Sequence, residues 1–269
     1  MKIMKTKLQI VTSLLLLLSS YINAQKLEIQ YMANEGVLIK SSKVQLLIDA
    51  TFNKEFDYLD VLPDTELDKI KNAEDPYNSI NILLATHLHG DHFNAEITGN
   101  HLLHNPNALF VGPKETVANF KENFTAFNDI SGRVVSIMPG FLQSETHNLK
   151  DIEIEALRFE HLGGSPWNEA ENIAYVITVE GKKILHLGDS KIDLDRLKEY
   201  NIPDKNIDVL IVHFTLLGEK EIIDRISPKI ILAGHIPLNS QSKIKEYKES
   251  LGYGNVTLLT KQLWKLEIK

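Results

Sequence analysis

The sequence predicts a mixed α/β or α+β fold in which helices cover layers of β-sheet. Apolar runs of strand length recur along the chain, and amphipathic segments of helical length separate the later runs. Since sheet faces and helix stripes bury their apolar sides against each other, this combination favours sheets packed under helices. The sequence shows no Gly/Ser-rich or Pro-rich linker and no short repeat, which favours one large domain.

Residues 1–24 have the three-part layout of a secretory signal. Three lysines precede the apolar segment "IVTSLLLLL", and "YINA" places a small residue before Gln25. A membrane anchor needs about 20 apolar residues, and the Thr and Ser residues of this stretch leave it too short. We therefore expect a signal peptide over 1–24, one domain over 25–269, and an exported protein, periplasmic or secreted, without a stable membrane anchor.

The composition limits the partners of the exported chain. Loss of residues 1–24 removes three lysines and no acidic residue, which changes the formal net charge from −7 to −10. So acidic a protein is a poor partner for nucleic acid or an anionic membrane surface, and we expect a small-molecule substrate. The sequence has no cysteine, which excludes thiolate metal ligands and thiol nucleophiles.

The first apolar runs are strands that short turns join into hairpins: "KLEIQYM", "GVLIK" and "VQLLIDA". Residues 51–79 lack an apolar period apart from a possible short helix around "TELDKIK", and loops this long are usually functional or disordered. The later strands are "INILLA", "ALFVG", "RVVSIM", "IEIEALRF", "IAYVITVE", "KKILHL", "IDVLIV", "KIILA" and "VTLL". Helices are predicted at "PKETVANFKENF", "DLDRLKEY", "EKEIIDRI" and "SKIKEYKESL".

Histidines and aspartates follow these strands at their carboxyl ends. The segment "ILLATHLHGDHF" places three of the ten histidines directly after a strand, and further polar residues follow later strands: His161, Asp189, His213 and His235. Carboxyl ends of strands meet at one edge of an α/β sheet, where such folds bind ligands. Imidazole and carboxylate groups are ligands of zinc and similar ions. A metal site is therefore predicted, with ordinary polar turn residues as the alternative interpretation.

The motif "THLHGDH", with the later "EHLGG", "LGDS" and "AGHI", resembles the metallo-β-lactamase superfamily, whose signature is His-x-His-x-Asp-His followed by a distant His, Asp and His. The resemblance implies a four-layer αββα sandwich and hydrolysis by a hydroxide that bridges two divalent ions. Zinc is the expected ion, with manganese or iron as alternatives. The implied ligands are His87, His89 and His161 for one ion, Asp91, His92 and His235 for the other, and Asp189 bridging both.

The opening strands "GVLIKSSKVQLLIDAT" are also similar to those of this family and imply that Asp49 supports the site from behind. Asp91 and His213 are the predicted catalytic residues. His213 matches no position of the signature, and it is interpreted either as a group that protonates a leaving group or contacts substrate, or as a plain hydrogen-bonded histidine. Asp189 has a second interpretation as the N-cap of the helix that follows "GDSKI".

Several further residues have two interpretations. Two aromatic residues of the 51–79 segment, Phe56 and Tyr58, either cap the site or anchor the loop. Trp167 either lines the pocket or packs in the core. His186 is expected behind the site or in the core. His101 and His104 are expected at the surface near a helix end, and His147 is also expected at the surface.

A bridging aspartate distinguishes this sequence from true β-lactamases of the superfamily, which generally carry Cys or Ser there, so β-lactamase activity is not expected. The chain looks most like the branch with ascorbate-6-phosphate lactonase and N-acylphosphatidylethanolamine phospholipase D relatives, which implies a small ester, lactone or phosphodiester substrate. The alternative is a catalytically inactive metal- or ligand-binding protein of the same fold. A redox di-iron protein fits less well, because such members typically replace the second His with Glu and carry a flavin domain.

Overall fold

Two β-sheets form the centre of the computed structural model, which describes residues 26–53 and 56–268. The predicted signal peptide lies outside the described residues. The strands are β1 (Leu27–Tyr31), β2 (Val37–Lys40), β3 (Gln45–Ile48), β4 (Ile82–Leu84), β5 (Leu109–Gly112), β6 (Val134–Ser136), β7 (Ser144–Leu149), β8 (Ile152–His161), β9 (Asn172–Val179), β10 (Lys182–His186), β11 (Ser190–Lys191), β12 (Val209–His213), β13 (Ile230–Gly234), β14 (Val256–Leu258) and β15 (Lys265–Ile268).

The first sheet has the strand order β15-β1-β2-β3-β4-β5-β6, and the second has the order β11-β8-β9-β10-β12-β13-β14 with β7 paired to β8. Each sheet has an antiparallel half and a parallel half. In the first sheet β3 to β6 run parallel, and in the second sheet β10, β12, β13 and β14 do. The carboxyl ends of parallel strands meet at one edge, so chain segments that follow them lie close together.

Alternation of side chains along the strands builds three apolar layers. In β2, Val37 and Ile39 enter the cluster between the two sheets, whereas Leu38 points to the outer face of the first sheet. In β12, Val209 and Ile211 enter the same central cluster, whereas Leu210 joins the outer cluster of the second sheet. Both faces of each sheet are therefore buried, which explains why the strands are continuous apolar runs in the sequence.

Helices cover both outer faces. The first sheet is covered by α1 (Asp64–Lys71), α2 (Ala95–His104), α3 (Lys114–Asn123) and α4 (Phe127–Ile130), and the second by α5 (Leu194–Glu199), α6 (Lys220–Ile226) and α7 (Gln241–Leu251). Helix residues such as Leu102, Phe120 and Ile223 supply the outer apolar clusters. The predicted αββα sandwich is confirmed.

The long segment 51–79 contains the helix predicted at "TELDKIK", and that helix packs against α2 through the buried side chains of Leu67 and Ile70. Over 26–53 and 56–268, no helix has the length and apolar character needed to cross a membrane.

Candidate metal centre

The predicted ligands come from both sheets and meet at the carboxyl edge of the parallel strands. The loop between β4 and α2 carries His87, His89, Asp91 and His92, and it ends where Asn94 caps α2 by accepting hydrogen bonds from Glu96 N and Ile97 N. The second sheet supplies the last residue of β8 and residues after β10 and β13: His161, Asp189 and His235.

The seven side chains form two groups that share an aspartate. His87, His89 and His161 place one ligand atom each within 4.8 Å of one another, and Asp91, His92 and His235 do the same. Asp189 lies between the groups, with Oδ2 3.4 Å from His161 Nε2 and 3.5 Å from His235 Nε2. The structure thus brings together all seven residues; their ligation of metal stays a prediction.

Hydrogen bonds on the far side of the rings fix which nitrogen faces the centre. Thr86 Oγ1 donates to Asp49 Oδ2 at 2.6 Å, so it accepts from His87 Nδ1 at 2.9 Å. His92 Nδ1 donates to Asp49 Oδ2 at 3.0 Å, and His161 Nδ1 donates to the carbonyl oxygen of Leu162 at 2.6 Å. In the neutral rings, Nε2 therefore presents a lone pair to the centre, which is the arrangement of metal-ligating histidines.

The spacing of these lone pairs fits a divalent cation. Nε2 atoms of His87 and His161 lie 3.3 Å apart, and two nitrogens bound to one tetrahedral zinc at 2.0–2.1 Å are separated by about 3.4 Å. His92 Nε2 and Asp189 Oδ1 are buried and have no hydrogen-bond partner. Acceptors that face one another without a proton between them are costly to bury, and a cation removes that cost.

The electrostatics of the site suit metal binding as well. Burial lowers the pKa of His87 well below its ordinary value and lowers the pKa of His89 to about 4. Burial opposes ionisation of Asp189, but His235 and His92 outweigh it and hold the pKa of that carboxyl well below its usual range. Burial opposes protonation of His92, but Asp91 and Asp189 outweigh it and raise the pKa of that ring well above its ordinary value, so this ring must give up a proton when a cation binds. The neutral rings of His87 and His89 and the ionised Asp189 are already in the forms that bind a metal ion.

A second layer of residues holds the ligands in place. Besides its bonds to Thr86 and His92, Asp49 accepts a hydrogen bond from Thr86 N at 2.8 Å, so the expectation that it supports the site from behind agrees with the geometry. Asn34 donates through Nδ2 to Asp91 Oδ2 at 3.2 Å, and its carbonyl oxygen accepts from His235 N at 2.8 Å. A Cβ on Gly234 would lie 2.7 Å from that carbonyl, which explains a glycine before His235.

Sequence reasoning gave no role to Asn34, Glu35 and Thr86, which lie around the ligands. Glu35 is fully buried, neither of its carboxylate oxygens has a hydrogen-bond partner, and burial raises its pKa well above the ordinary value. For Thr86, the sequence signal of a role near the site was its position directly before His87. Asn34 and Glu35 lie in the turn between β1 and β2, and only the fold brings that turn under the site.

A cavity of about 410 Å³ opens onto the centre, and Phe56, Tyr58, Trp167 and His213 are among the residues that line it. The three aromatic residues therefore border the pocket. His213 Nδ1 accepts a hydrogen bond from Thr215 N at 3.3 Å and lies 2.7 Å from Thr215 Oγ1. Burial lowers the pKa of His213 to about 3, so the ring is neutral at pH 7 and carries its proton on Nε2.

The structure also separates the alternative interpretations of nearby residues. Asp193, not Asp189, caps α5, because its Oδ1 accepts from Arg196 N at 2.8 Å. His186 is buried behind the site as expected, and Nε2 donates to the Glu35 carbonyl oxygen at 3.1 Å. The surface prediction for His101 is wrong: the side chain is fully buried between α1 and α2, and Nδ1 donates to Ile70 O at 2.6 Å.

Residues 45–247 match the family described as the beta-lactamase superfamily domain, which covers three quarters of the chain. The αββα fold and the His/Asp cluster agree with this match. The protein therefore belongs to the beta-lactamase superfamily. The family match does not distinguish the branches within it. No curated protein sequence matches the chain.

Solved structures with the same fold include a putative metal-dependent hydrolase from Parabacteroides distasonis, at 16% identity and TM-score 0.59 over 87% of this chain and 92% of that chain. The metallo-beta-lactamase fold protein YhfI from Bacillus subtilis is 16% identical, with TM-score 0.61 over 90% and 99%. CmlA, a diiron β-hydroxylase from Streptomyces venezuelae, is 16% identical, with TM-score 0.58 over 91% and 54%. At these identities the likeness shows the fold alone.

Proposed function

We propose that this protein is an exported metal-dependent hydrolase that holds two divalent ions, zinc first among them, and cleaves a small ester, lactone or phosphodiester. The observation that carries the proposal is the set of seven imidazole and carboxylate side chains that cluster together, five of which line an open cavity. The cavity favours an enzyme or a ligand-binding protein over a protein that only holds metal, and the complete set of seven ligand side chains favours the enzyme over an inactive binder.

Each residue group has a distinct role in this proposal. His87, His89 and His161 would hold one ion, and Asp91, His92 and His235 would hold the other. Asp189, which lies between the two groups, would serve both. When bound, the ion pair supplies a hydroxide nucleophile at neutral pH and polarises the bond under attack. His213 Nε2–H donates a hydrogen bond to a substrate oxygen at the cavity wall, since Nδ1 is already engaged by Thr215.

The proposed reaction is not β-lactam hydrolysis, because an aspartate stands at the bridging position. The likeness to the lactonase and phospholipase D branch supports the substrate class. The neighbouring fold of a diiron β-hydroxylase makes iron a metal to include among those tested.

The test is a panel of chromogenic esters, lactones, phosphodiesters and a β-lactam, assayed with protein loaded with Zn²⁺, Mn²⁺ or Fe²⁺ and with chelated protein. We expect chelator-sensitive turnover of at least one of the first three classes and none of the β-lactam. Metal-loaded protein that turns over no class would favour the inactive binder. Turnover that persists after complete metal removal would contradict the mechanism.

Export has its own test. Mass spectrometry of protein purified from the native cell envelope and medium should find a mature N-terminus at Gln25. A cytosolic protein that retains Met1 would contradict it.

A further inference from the structure

One wall of the cavity over the metal centre is built from three aromatic side chains. The Phe56 ring stacks on Tyr58, with centroids 5.4 Å apart and an interplanar angle of 29°, and meets Trp167 edge-on at 6.2 Å and 72°. Trp167 in turn meets His89 edge-on, with centroids 5.3 Å apart. We call these residues the aromatic wall. It extends without interruption from a predicted metal ligand to the cavity mouth.

The aromatic wall is exposed although its residues are large and apolar. Tyr58 and Trp167 are 49% and 48% exposed, and Leu238 beside them is 46% exposed. Large apolar side chains scattered singly over a surface need no explanation, whereas a cluster at a cavity mouth marks a binding surface. Tyr58 and Trp167 come from segments far apart in the chain, so proximity in sequence does not account for the cluster.

The loop that carries Tyr58 is held to the body of the protein. Leu238 N donates to the carbonyl oxygen of Tyr58 at 2.9 Å, which ties the loop to the segment after β13. Asp60 accepts hydrogen bonds from Tyr31 Oη at 3.1 Å and from Gln262 Nε2 at 2.6 Å. A loop held in this way loses little conformational entropy when a ligand binds against Tyr58.

The rest of the cavity differs in chemistry from this wall. Its floor consists of imidazole and carboxylate groups of the candidate metal centre, and Leu162 and Gly163 also line it. Among the described residues that line the cavity none is Lys or Arg. A volume of about 410 Å³ lies near the lower end of the range for small-molecule sites, roughly 300–1,000 Å³.

We propose that the substrate carries a flat aromatic group, which binds against Phe56, Tyr58 and Trp167 while the scissile bond lies over the metal centre. Aromatic rings gain from stacked and edge-to-face contacts beyond the apolar area that they bury, and the wall offers both geometries. This inference rests on the proposed metal-dependent hydrolase, and it narrows the substrate class to esters, lactones or phosphodiesters with an aromatic substituent.

A series of hydroxamates tests the inference without depending on turnover. Acetohydroxamate, cyclohexylacetohydroxamate and phenylacetohydroxamate share one metal-chelating group and differ only in the substituent. Their dissociation constants are measured by calorimetry on zinc-loaded protein whose metal content has been determined. We expect phenylacetohydroxamate to bind about tenfold more tightly than acetohydroxamate, and about threefold more tightly than the cyclohexyl compound.

Variants locate the effect on the aromatic wall. Tyr58→Leu and Trp167→Leu should each remove most of the preference for phenyl over cyclohexyl, because they retain apolar bulk but no ring. Tyr247→Leu is the matched control: Tyr247 is also a half-exposed tyrosine, at 43%, but lies on α7 outside the cavity. The control should keep the wild-type preference.

The outcomes distinguish failure of the aromatic subsite from failure of the proposed metal centre. Equal affinity for all three hydroxamates, or a phenyl preference that survives both wall substitutions, would overturn the aromatic subsite and leave the metal centre standing. Failure of zinc to load would overturn the metal centre and the subsite with it. Failure of every hydroxamate to bind zinc-loaded protein would overturn the subsite and the accessible metal position that the proposed hydrolysis needs.

Discussion

Asp49 shows how one buried side chain controls several ligands. It accepts hydrogen bonds from Thr86 and His92, and through Thr86 Oγ1 it orients His87. Its backbone adopts a left-handed conformation, with φ of 46°, which is uncommon for a residue other than glycine and is tolerated when the surroundings fix it. One carboxylate thus sets the tautomers of two neighbouring predicted ligands, His87 and His92, whose ring centroids lie 4.1 Å apart.

We expect Asp49→Ala to weaken zinc binding by about 10–100-fold, the usual effect of losing such a supporting group. Competition with a chromophoric chelator measures the affinity. Asp208→Ala is the control, because Asp208 is also a buried carboxylate, bonded to Lys183 N and Lys229 Nζ away from the site. Equal losses of zinc affinity in the two variants would contradict a specific role for Asp49.

His213 is predicted to act on the substrate and not on the metal. Replacing it with Ala should slow hydrolysis by about a hundredfold, within the usual range for losing one hydrogen-bond donor to the reacting oxygen, and leave two ions per chain. Steady-state kinetics and elemental analysis of the same preparation test this. Loss of one ion in His213→Ala would instead identify His213 as a ligand, since it also lies near Asp189 and His235.

The residues of the site were predictable to the extent that they lie in one motif or directly follow an apolar strand. His87 to His92 and the three later ligands meet that condition. Asn34 and Glu35 do not, because their position depends on how the turn between β1 and β2 packs against β13. No local pattern in the sequence records that long-range contact.

The helices on the first sheet show where reasoning from local pattern failed. The sequence did not predict the full extent of α2, whose apolar residues are interrupted by Thr98, Gly99 and Asn100, and His101 was expected at the surface near a helix end. In the structure, His101 joins α2 to the end of α1 through Ile70 O. β7 and β15 were also not predicted, since their partly exposed side chains alternate without an apolar run.

The buried position of His101 predicts a pH effect on the packing of α1 against α2. Burial lowers its pKa to about 4, so the unfolded chain takes up a proton below about pH 6.5 while the folded protein does not. The stability linked to His101 is therefore complete above that pH and is lost as the pH falls toward 4.

Denaturant unfolding of chelated protein at pH 7.5 and 4.5 tests this effect. His101→Gln should show a smaller fall in unfolding free energy than the wild type, by up to about 3 kcal/mol. His104→Gln, on the exposed side of the same helix, is the control. An unchanged pH dependence in His101→Gln would contradict the assignment.

The candidate metal centre draws its side chains from both sheets. Its predicted ligands come from the β4–α2 loop of the first sheet and from three strand ends of the second, so bound ions cross-link the sheets at one edge. The fold class could be predicted from strand and helix patterns, but the pairing of two separate sheets came from the family resemblance. The pattern of apolar residues indicates that a strand is buried on both faces. It does not indicate which of the two sheets contains that strand.

Removal of the ions should therefore lower the stability of the whole domain. At free metal about 100 times the dissociation constant, binding contributes about 2.7 kcal/mol, which corresponds to a Tm difference of about 5–10 °C for a domain of this size. Calorimetry of zinc-loaded and chelated protein measures it. Identical Tm values for the two forms, in samples shown to differ in zinc, would mean that the ions do not bridge the sheets.

The most direct measurement of the central claim is the zinc content and hydrolytic rate of Asp189→Ala beside those of Asp193→Ala. The two aspartates lie four residues apart, but Asp189 faces both groups of predicted ligands, whereas Asp193 caps α5. We expect Asp189→Ala to lose zinc and hydrolysis together while remaining folded. Asp193→Ala should keep both and lose only about 1 kcal/mol of stability. Two zinc ions per chain and wild-type turnover in Asp189→Ala would contradict the account.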